Sequence, residues 1–220
     1  MANRLKSSAS KKEKEKDSDL RDFKKESDAQ LDVVGILKDE RTWKIIGISF
    51  IILSLFLFIS FASYLFTWKD DQAIAQQGLS ALLDSETPAL NWLGRLGAVV
   101  SHFFFYKAFG LASFLICTFF FVVGVNLLFR QRVFSIWRNL KYVTIGVTVL
   151  SVSLSYIFRS SEFSFGGGVG NLIKMELEGI FGVVGTGAVL FLVAAAYIIW
   201  QFNPSFKLPA KKEPATTDEL

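Results

Sequence analysis

The sequence predicts an all-α integral membrane protein. It has four transmembrane helices, two short amphipathic or re-entrant helices on the outer side, and disordered cytoplasmic arms. Of its 220 residues, 51% are hydrophobic and 23 are Phe. The mean hydropathy is +0.39 although both ends of the chain are polar, so the middle is far more apolar than the average. Several uninterrupted apolar runs approach or exceed the length that crosses a bilayer, which excludes an ordinary soluble domain.

The polarity of the chain divides it into three parts. Residues 1–43 form a charged N-terminal tail that has too few apolar side chains to fold alone, so we expect it to be disordered and cytoplasmic. Within its last part, residues 31–44 are expected to form a short juxtamembrane helix. Residues 44–203 form the four-helix membrane domain. Residues 204–220 begin a cytoplasmic linker rich in Pro and Lys.

Four apolar runs are predicted to span the membrane. The first, 45–68, carries no charge between Ile45 and Phe66, and its many Ile, Leu and Phe side chains favour insertion. The others are 109–129, 142–158 and 180–202. Of these, 142–158 is near the lower limit of length for crossing and is rich in Val, Thr and Ser.

Shorter helices are predicted between the spans. Residues 74–83 are expected to form one in the first loop. Residues 92–107 and 169–178 are amphipathic and too short to cross the roughly 30 Å hydrocarbon core, so we expect them at the outer interface. In this arrangement the polar side chains of 92–107, including His102, lie near headgroups.

The distribution of Lys and Arg predicts the orientation, because cytoplasmic segments carry an excess of these residues. If the N-terminus, the connection 130–141 and the C-terminus share one side, that side holds 19 of the 24 Lys and Arg residues. The opposite side holds the remaining 5. We therefore expect both termini in the cytoplasm and the two larger loops outside.

The composition argues against several kinds of chemistry. His102 is the single His and Cys117 the single Cys, so one chain cannot build a Cys/His zinc site or a disulfide. The Gly-rich stretch 166–170 lacks the Gly-Lys-Ser/Thr ending of a phosphate-binding loop. We predict no catalytic, cofactor or metal site. Cys117 is expected to face lipid or another helix.

Ionisable side chains are also missing from the middle of the predicted spans. No span carries Asp, Glu, Lys or Arg in its central half, where ion-coupled transporters usually need one. Glu176 and Glu178 do not share a helix face, which argues against a catalytic carboxylate pair. Gly182, Gly185 and Gly187 in the fourth span are predicted to let helices approach closely, within the bundle or between subunits of a homo-oligomer.

The order of elements and several glycine motifs carry a resemblance to a known family. The segment Asn91-Trp92-Leu93-Gly94-Arg95-Leu96-Gly97-Ala98 precedes the second span, which opens with Phe109-Gly110. A Gly-Gly-x-Gly segment follows the third span. This pattern resembles the four-helix membrane domain at the N-terminus of FtsK/SpoIIIE-type DNA translocases. The motif positions that we single out are Gly94, Gly97, Ala98, Gly110, Gly167, Gly168 and Gly170.

The resemblance implies a role in cell division and chromosome partition. It implies a module that anchors a DNA translocase in the bacterial inner membrane at the division septum and helps to assemble the division machinery. Its partners would be the bilayer and other division proteins, and DNA only through a motor domain that these residues lack. The chain would then be a fragment of a longer protein, or its parent would have lost the motor. A small transporter or channel subunit is the alternative, and a membrane-bound enzyme is a third reading.

Overall fold

The computed structural model describes residues 39–83 and 88–203. The predictions for the N-terminal tail and for the Pro/Lys linker lie outside these residues, apart from the tail's last few positions. The described residues form six α-helices joined by short 3-10 and π segments. The α-helices are α1 (Glu40–Thr67), α2 (Gln72–Gln76), α3 (Gly94–His102), α4 (Phe114–Phe129), α5 (Ile136–Ile157) and α6 (Gly167–Phe202).

Four of the helical segments are long and apolar enough to cross a membrane. They are Glu40–Thr67, Gly110–Phe129, Ile136–Ile157 and Gly167–Phe202, and the second includes a 3-10 turn at Gly110–Ser113. The prediction of an all-α domain with four spans is therefore confirmed.

Local capping explains where several helices begin and end. The side chain of Asp39 accepts a hydrogen bond from the Arg41 backbone N–H and caps the start of α1. Ser135 caps α5 in the same way through the Arg138 N–H. Arg130 ends α4 in the left-handed conformation, with φ 50°, and so reverses the chain towards α5.

The four spans pack one against the next. α1 packs against α4, α4 against α5, and α5 against α6. α1 and α4 approach closely, since a Cβ atom on Gly47 would lie 2.9 Å from the Gly124 carbonyl oxygen. Two glycines thus bring two helix backbones together, as is typical of helix pairs in membranes.

Smaller elements cover one end of the spans, which we call the cap end. This end holds α2, the 3-10 helix Gly78–Leu82, α3 and the π segment Phe103–Ala108. The opposite end, which we call the tail end, holds the start of α1, the α4–α5 turn and the end of α6.

Apolar packing joins the cap to the spans. Phe105 of the π segment is buried among Leu57, Phe61 and Tyr64 of α1 and Cys117 of α4. Cys117 therefore faces other helices rather than lipid.

Several boundaries differ from the sequence predictions. α1 begins at Glu40, within the predicted tail and before the predicted span 45–68, because Asp39 caps it. The predicted helix 74–83 divides into α2 and the 3-10 helix Gly78–Leu82.

α5 begins at Ile136 rather than at 142, because the Ser135 cap starts the helix within the basic connection. The predicted helix 92–107 divides into α3 and the π segment. The predicted helix 169–178 extends over residues 167–181, and the break that separates it from the fourth span falls at Gly182, with φ 67° and ψ 174°.

Candidate functional site

The cap end brings together the glycines of two separate sequence motifs. Gly110 and Gly167 both have positive φ, of 62° and 72°, which favours glycine. A Cβ atom on Gly110 would overlap the Phe165 carbonyl, and one on Gly167 would overlap the Ala108 carbonyl. The Leu111 N–H donates to the Phe165 carbonyl at 2.8 Å. We call this contact, with Gly168 and Gly170 beside it, the glycine junction.

The remaining glycines of the junction seat the start of α6. A Cβ atom on Gly168 would lie 2.7 Å from the Lys107 carbonyl oxygen, and one on Gly170 would overlap the side chain of Ser151 in α5. The Ser151 hydroxyl donates to the Gly166 carbonyl at 2.5 Å. The backbone of the α5–α6 loop thus packs against both the second and the third span.

The junction also shows that the start of α6 is re-entrant. Ser151 lies six residues before the end of α5 at Ile157, or about 9 Å along the helix axis. Gly170 contacts Ser151, whereas Val183 accepts a hydrogen bond from the Tyr156 hydroxyl at 3.1 Å, near the end of α5. The chain therefore enters the bundle from the cap end, runs back towards the cap end along residues 167–181, and reverses at Gly182 into the fourth span.

The motif before the second span forms a different contact. Gly94 has φ 64° and begins α3, while Gly97 and the fully buried Ala98 face α1 and the turn before α3. The Gly97 carbonyl accepts a hydrogen bond from Ser60 at 2.8 Å. A Cβ atom on Gly97 would overlap the side-chain amide of Asn91, so this motif holds α3 against the first span.

Polar side chains that the sequence analysis did not single out complete this contact. The buried Asn91 amide donates to the Ser60 carbonyl at 3.1 Å. The hydroxyl of Ser63, also buried, accepts from the Trp92 N–H at 2.9 Å. These hydrogen bonds give the Ser60 carbonyl and the Trp92 N–H their partners, although the turn before α3 is not part of a regular helix or strand.

Asp71 belongs to the same polar contact. It is 1% exposed, and its Oδ1 accepts a hydrogen bond from the Leu90 N–H at 2.7 Å, while its Oδ2 has no hydrogen-bond partner among residues 39–83 and 88–203. A buried carboxylate is expensive without partners, so this hydrogen bond is its main compensation in the described part of the chain.

His102 is buried within the cap end. It is 2% exposed, its Nδ1 lies 2.9 Å from the Tyr64 hydroxyl, and its ring stacks on Tyr106 at 5.0 Å between centroids. Burial, and secondly the charge of Lys107, lower the pKa of His102, which keeps the ring neutral. Tyr64 therefore supplies a partner for His102 inside the protein, and the position of His102 relative to the headgroups stays a prediction.

Gly182 and Gly185 lie away from both motifs. Gly182 makes the break in α6, and nothing lies within 4 Å of a Cβ atom built there. Gly185 would meet only Phe181 of its own helix among the described residues. Gly187 packs beside the Tyr156 hydroxyl, so of these three glycines of the fourth span it is the one that lies against α5.

Ion pairs join the loops of the cap end. Lys69, after α1, contacts Glu162 of the α5–α6 loop at 2.8 Å, and the hydrogen bond and charge of Lys69 lower the pKa of Glu162. Arg159 lies 3.4 Å from the largely buried Glu178 of α6. Glu178 therefore has Arg159 as its ion-pair partner, whereas the side chain of Glu176 is exposed.

Apolar side chains remain exposed on the cap. Trp92, before α3, Leu96, within it, and Phe103, directly after it, are 67%, 46% and 54% exposed. Exposed apolar side chains of this kind are suited to contact with lipid or with another membrane protein.

The geometry of the cap end consists of packing contacts, hydrogen bonds and ion pairs. Within residues 39–83 and 88–203, no group of three or more His, Cys, Asp or Glu side chains could hold a metal ion. The predicted motif glycines divide between the glycine junction and the α3 contact, and both lie at the cap end. Asp71 and Asn91 lie at the two ends of the first loop, next to apolar segments, and this position could have marked them as candidates for burial. Their hydrogen-bond partners, however, are distant in the sequence.

Residues 40–212 match the family described as the 4TM region of DNA translocase FtsK/SpoIIIE. Comparisons with curated proteins and with solved structures gave no match. The family match covers most of the chain, including all four candidate spans, and the region that it describes is a membrane region, not a motor. The chain therefore belongs to the FtsK/SpoIIIE 4TM family.

Proposed function

We propose that this chain anchors a DNA translocase in the bacterial cytoplasmic membrane at the division septum and takes part in assembling the division machinery. The observation that carries the proposal is the family match over residues 40–212, which include the four candidate spans. DNA pumping would belong to a motor domain elsewhere in such a translocase, and we propose no catalytic or cofactor-dependent step for these residues.

The cap end is suited to the assembly role. The glycine junction and the α3 contact fix its loops against the spans, so their shape is set by backbone contacts. The exposed Trp92, Leu96 and Phe103 then add apolar side chains to this fixed cap. We propose that this cap lies on the outer side of the membrane, with both termini in the cytoplasm, and contacts other division proteins, in the monomer or in a homo-oligomer.

A localisation experiment tests the anchor role. The chain, fused to a fluorescent protein, is expressed in bacterial cells that lack their own translocase of this family. We expect the fusion to concentrate at division sites and to restore division, but not the clearance of chromosomes from the septum. An even distribution around the envelope at normal expression would overturn the proposal and favour the transporter or channel alternative.

Two variants of α6 connect the localisation to the cap. Gly170→Ala would push against Ser151, whereas Gly179→Ala adds the same methyl group where nothing lies within 4 Å. We expect Gly170→Ala to reduce septal localisation and Gly179→Ala to leave it unchanged, with equal amounts of both proteins in the membrane. Equal localisation of the two variants would contradict a role for the cap in assembly.

A further inference from the structure

We propose that the cleft between the start of α1 and the α4–α5 turn binds the phosphate headgroup of an anionic phospholipid. The cleft has a volume of about 310 Å³ and lies at the tail end. Its lining includes Trp43 of α1, Arg130 and Arg132 of the turn, and Ile136 of α5. It combines two guanidinium groups with apolar surface, which is the combination that a phospholipid headgroup and its glycerol require.

The turn that carries the arginines is held in place by Asn126. This buried side chain donates to the Phe134 carbonyl at 2.6 Å and accepts from the Phe134 N–H at 3.0 Å. Arg130 is fixed in the left-handed conformation at the end of α4. The backbone that carries the two arginines is therefore ordered before a ligand binds, which lowers the entropic cost of placing their side chains around a phosphate.

The charge around the cleft favours an anion. The acidic residues at the described tail end are Asp39 and Glu40, and the Glu40 carboxylate pairs with Lys44 at 2.9 Å. The basic residues at this end are Arg41, Lys44, Arg130, Arg132, Arg138 and Lys141. Positive charge is thus in excess next to the cleft, and anionic lipids are attracted to basic pockets between membrane helices.

The depth of the cleft favours a lipid over nucleic acid or free phosphate. The uncharged part of α1 begins at Ile45, directly after Trp43 and Lys44, and α4 ends at Phe129, directly before Arg130. Trp137, one residue after Ile136, is 75% exposed, as expected of an aromatic side chain at the interface. The arginines therefore lie at headgroup level, with apolar side chains on the membrane side.

Lipid binding is measured on the purified chain in a neutral detergent by native mass spectrometry. Phosphatidylglycerol is added to one series and phosphatidylcholine to another. We expect the chain to retain phosphatidylglycerol preferentially, and Arg132→Gln to weaken this binding about fivefold. Arg130→Gln combined with Arg132→Gln should weaken it further. The proposal is independent of the septal role, since it depends only on the helices lying in a membrane.

The control variant removes two positive charges from the same tail end, as the double variant of the cleft does. Arg138→Gln combined with Lys141→Gln changes two basic residues of α5 outside the lining of the cleft. We expect near-normal binding of phosphatidylglycerol by this control. Equal weakening in both double variants would reduce the effect to diffuse surface charge and overturn the site, as would equal retention of the two lipids.

A competition experiment with inorganic phosphate distinguishes a lipid headgroup from free phosphate as the bound anion. Sodium phosphate at millimolar concentration should not displace phosphatidylglycerol, because it lacks the apolar part that Trp43 and Ile136 contact. Displacement by phosphate alone would show a general anion site and contradict the lipid assignment. If the double variant at 130 and 132 unfolds at a lower temperature than the unaltered chain in the neutral detergent, the Arg132→Gln variant decides the result.

Discussion

The Tyr64 hydroxyl and Nδ1 of His102 lie 2.9 Å apart and join the last turns of the first span to the end of α3. The two residues are 38 positions apart in the sequence, and both are buried. Tyr106 stacks on the other side of the imidazole ring. A neutral His suits this site, because a charged imidazolium would have to leave water and would approach Lys107.

The pH dependence of stability should show this neutral state. The pKa of His102 is lowered from 6.5 in the folded protein, so the unfolded chain binds a proton first as the pH falls. The stability that the neutral ring contributes is fully present above about pH 6.5 and is lost as the pH falls towards the lowered pKa. We expect the purified chain to unfold at a lower temperature at pH 5.5 than at pH 7.5.

His102→Gln is the control for this measurement. Glutamine keeps a hydrogen-bonding group near Tyr64 but does not titrate, so the decrease between pH 7.5 and pH 5.5 should be smaller in this variant. Other groups titrate equally in both proteins, and their effect cancels in the difference. The same decrease in both proteins would mean that His102 is not the group responsible.

The two consecutive aspartates after α1 should differ sharply in their contribution to stability. Asp71 is buried and accepts the Leu90 N–H, whereas Asp70 is exposed. Asp71→Ala leaves a partly buried N–H unpaired, so we expect a loss of about 1–3 kcal/mol in the free energy of unfolding. Asp70→Ala should change it by less than about 0.5 kcal/mol. Thermal unfolding in detergent compares them, and similar losses would contradict the assigned role of Asp71.

Gly124→Ala should separate α1 from α4. The added Cβ atom would lie 2.7 Å from Ile51 Cγ1 and 2.9 Å from the Gly47 carbonyl oxygen. Because both helix backbones would have to move, we expect a loss of about 1–3 kcal/mol. The matched variant is Gly179→Ala, also in a helix, which meets nothing within 4 Å. If the two variants unfold at the same temperature, the close approach of α1 and α4 does not contribute to stability.

The sequence predicted the four spans because their apolar runs are long and nearly free of charge, and this signal is local. The family resemblance came from glycine motifs, which the structure places in two backbone contacts at the cap end. The predicted span 142–158 begins after the true start of α5 at Ile136, because Arg138 and Lys141 in the first turns of the helix are typical of a loop between spans. The break in α6 was placed too early, because Gly179 and Gly182 are equally suited to it by residue type.

The polar contacts of the cap could not be predicted in the same way. Ser60 pairs with the Gly97 carbonyl across 37 positions, and Asp71 pairs with the Leu90 N–H across 19. Each partner is a backbone group, so it leaves no trace in residue identity. Only the packing of α3 against α1 brings these groups together.

The final prediction concerns orientation, which we propose places the cap outside. Ser161 lies in the exposed α5–α6 loop at the cap end, and Gln131 lies in the exposed α4–α5 turn at the tail end. Single cysteines are introduced as Ser161→Cys or Gln131→Cys after Cys117→Ala removes the native thiol. In intact cells, a thiol reagent that cannot cross the membrane should label the Ser161→Cys variant and not the Gln131→Cys variant. Both should react once the membrane is opened, since both sites are exposed. The reverse pattern in intact cells would place the cap in the cytoplasm, and it would contradict both the positive-inside argument and the proposed assembly surface.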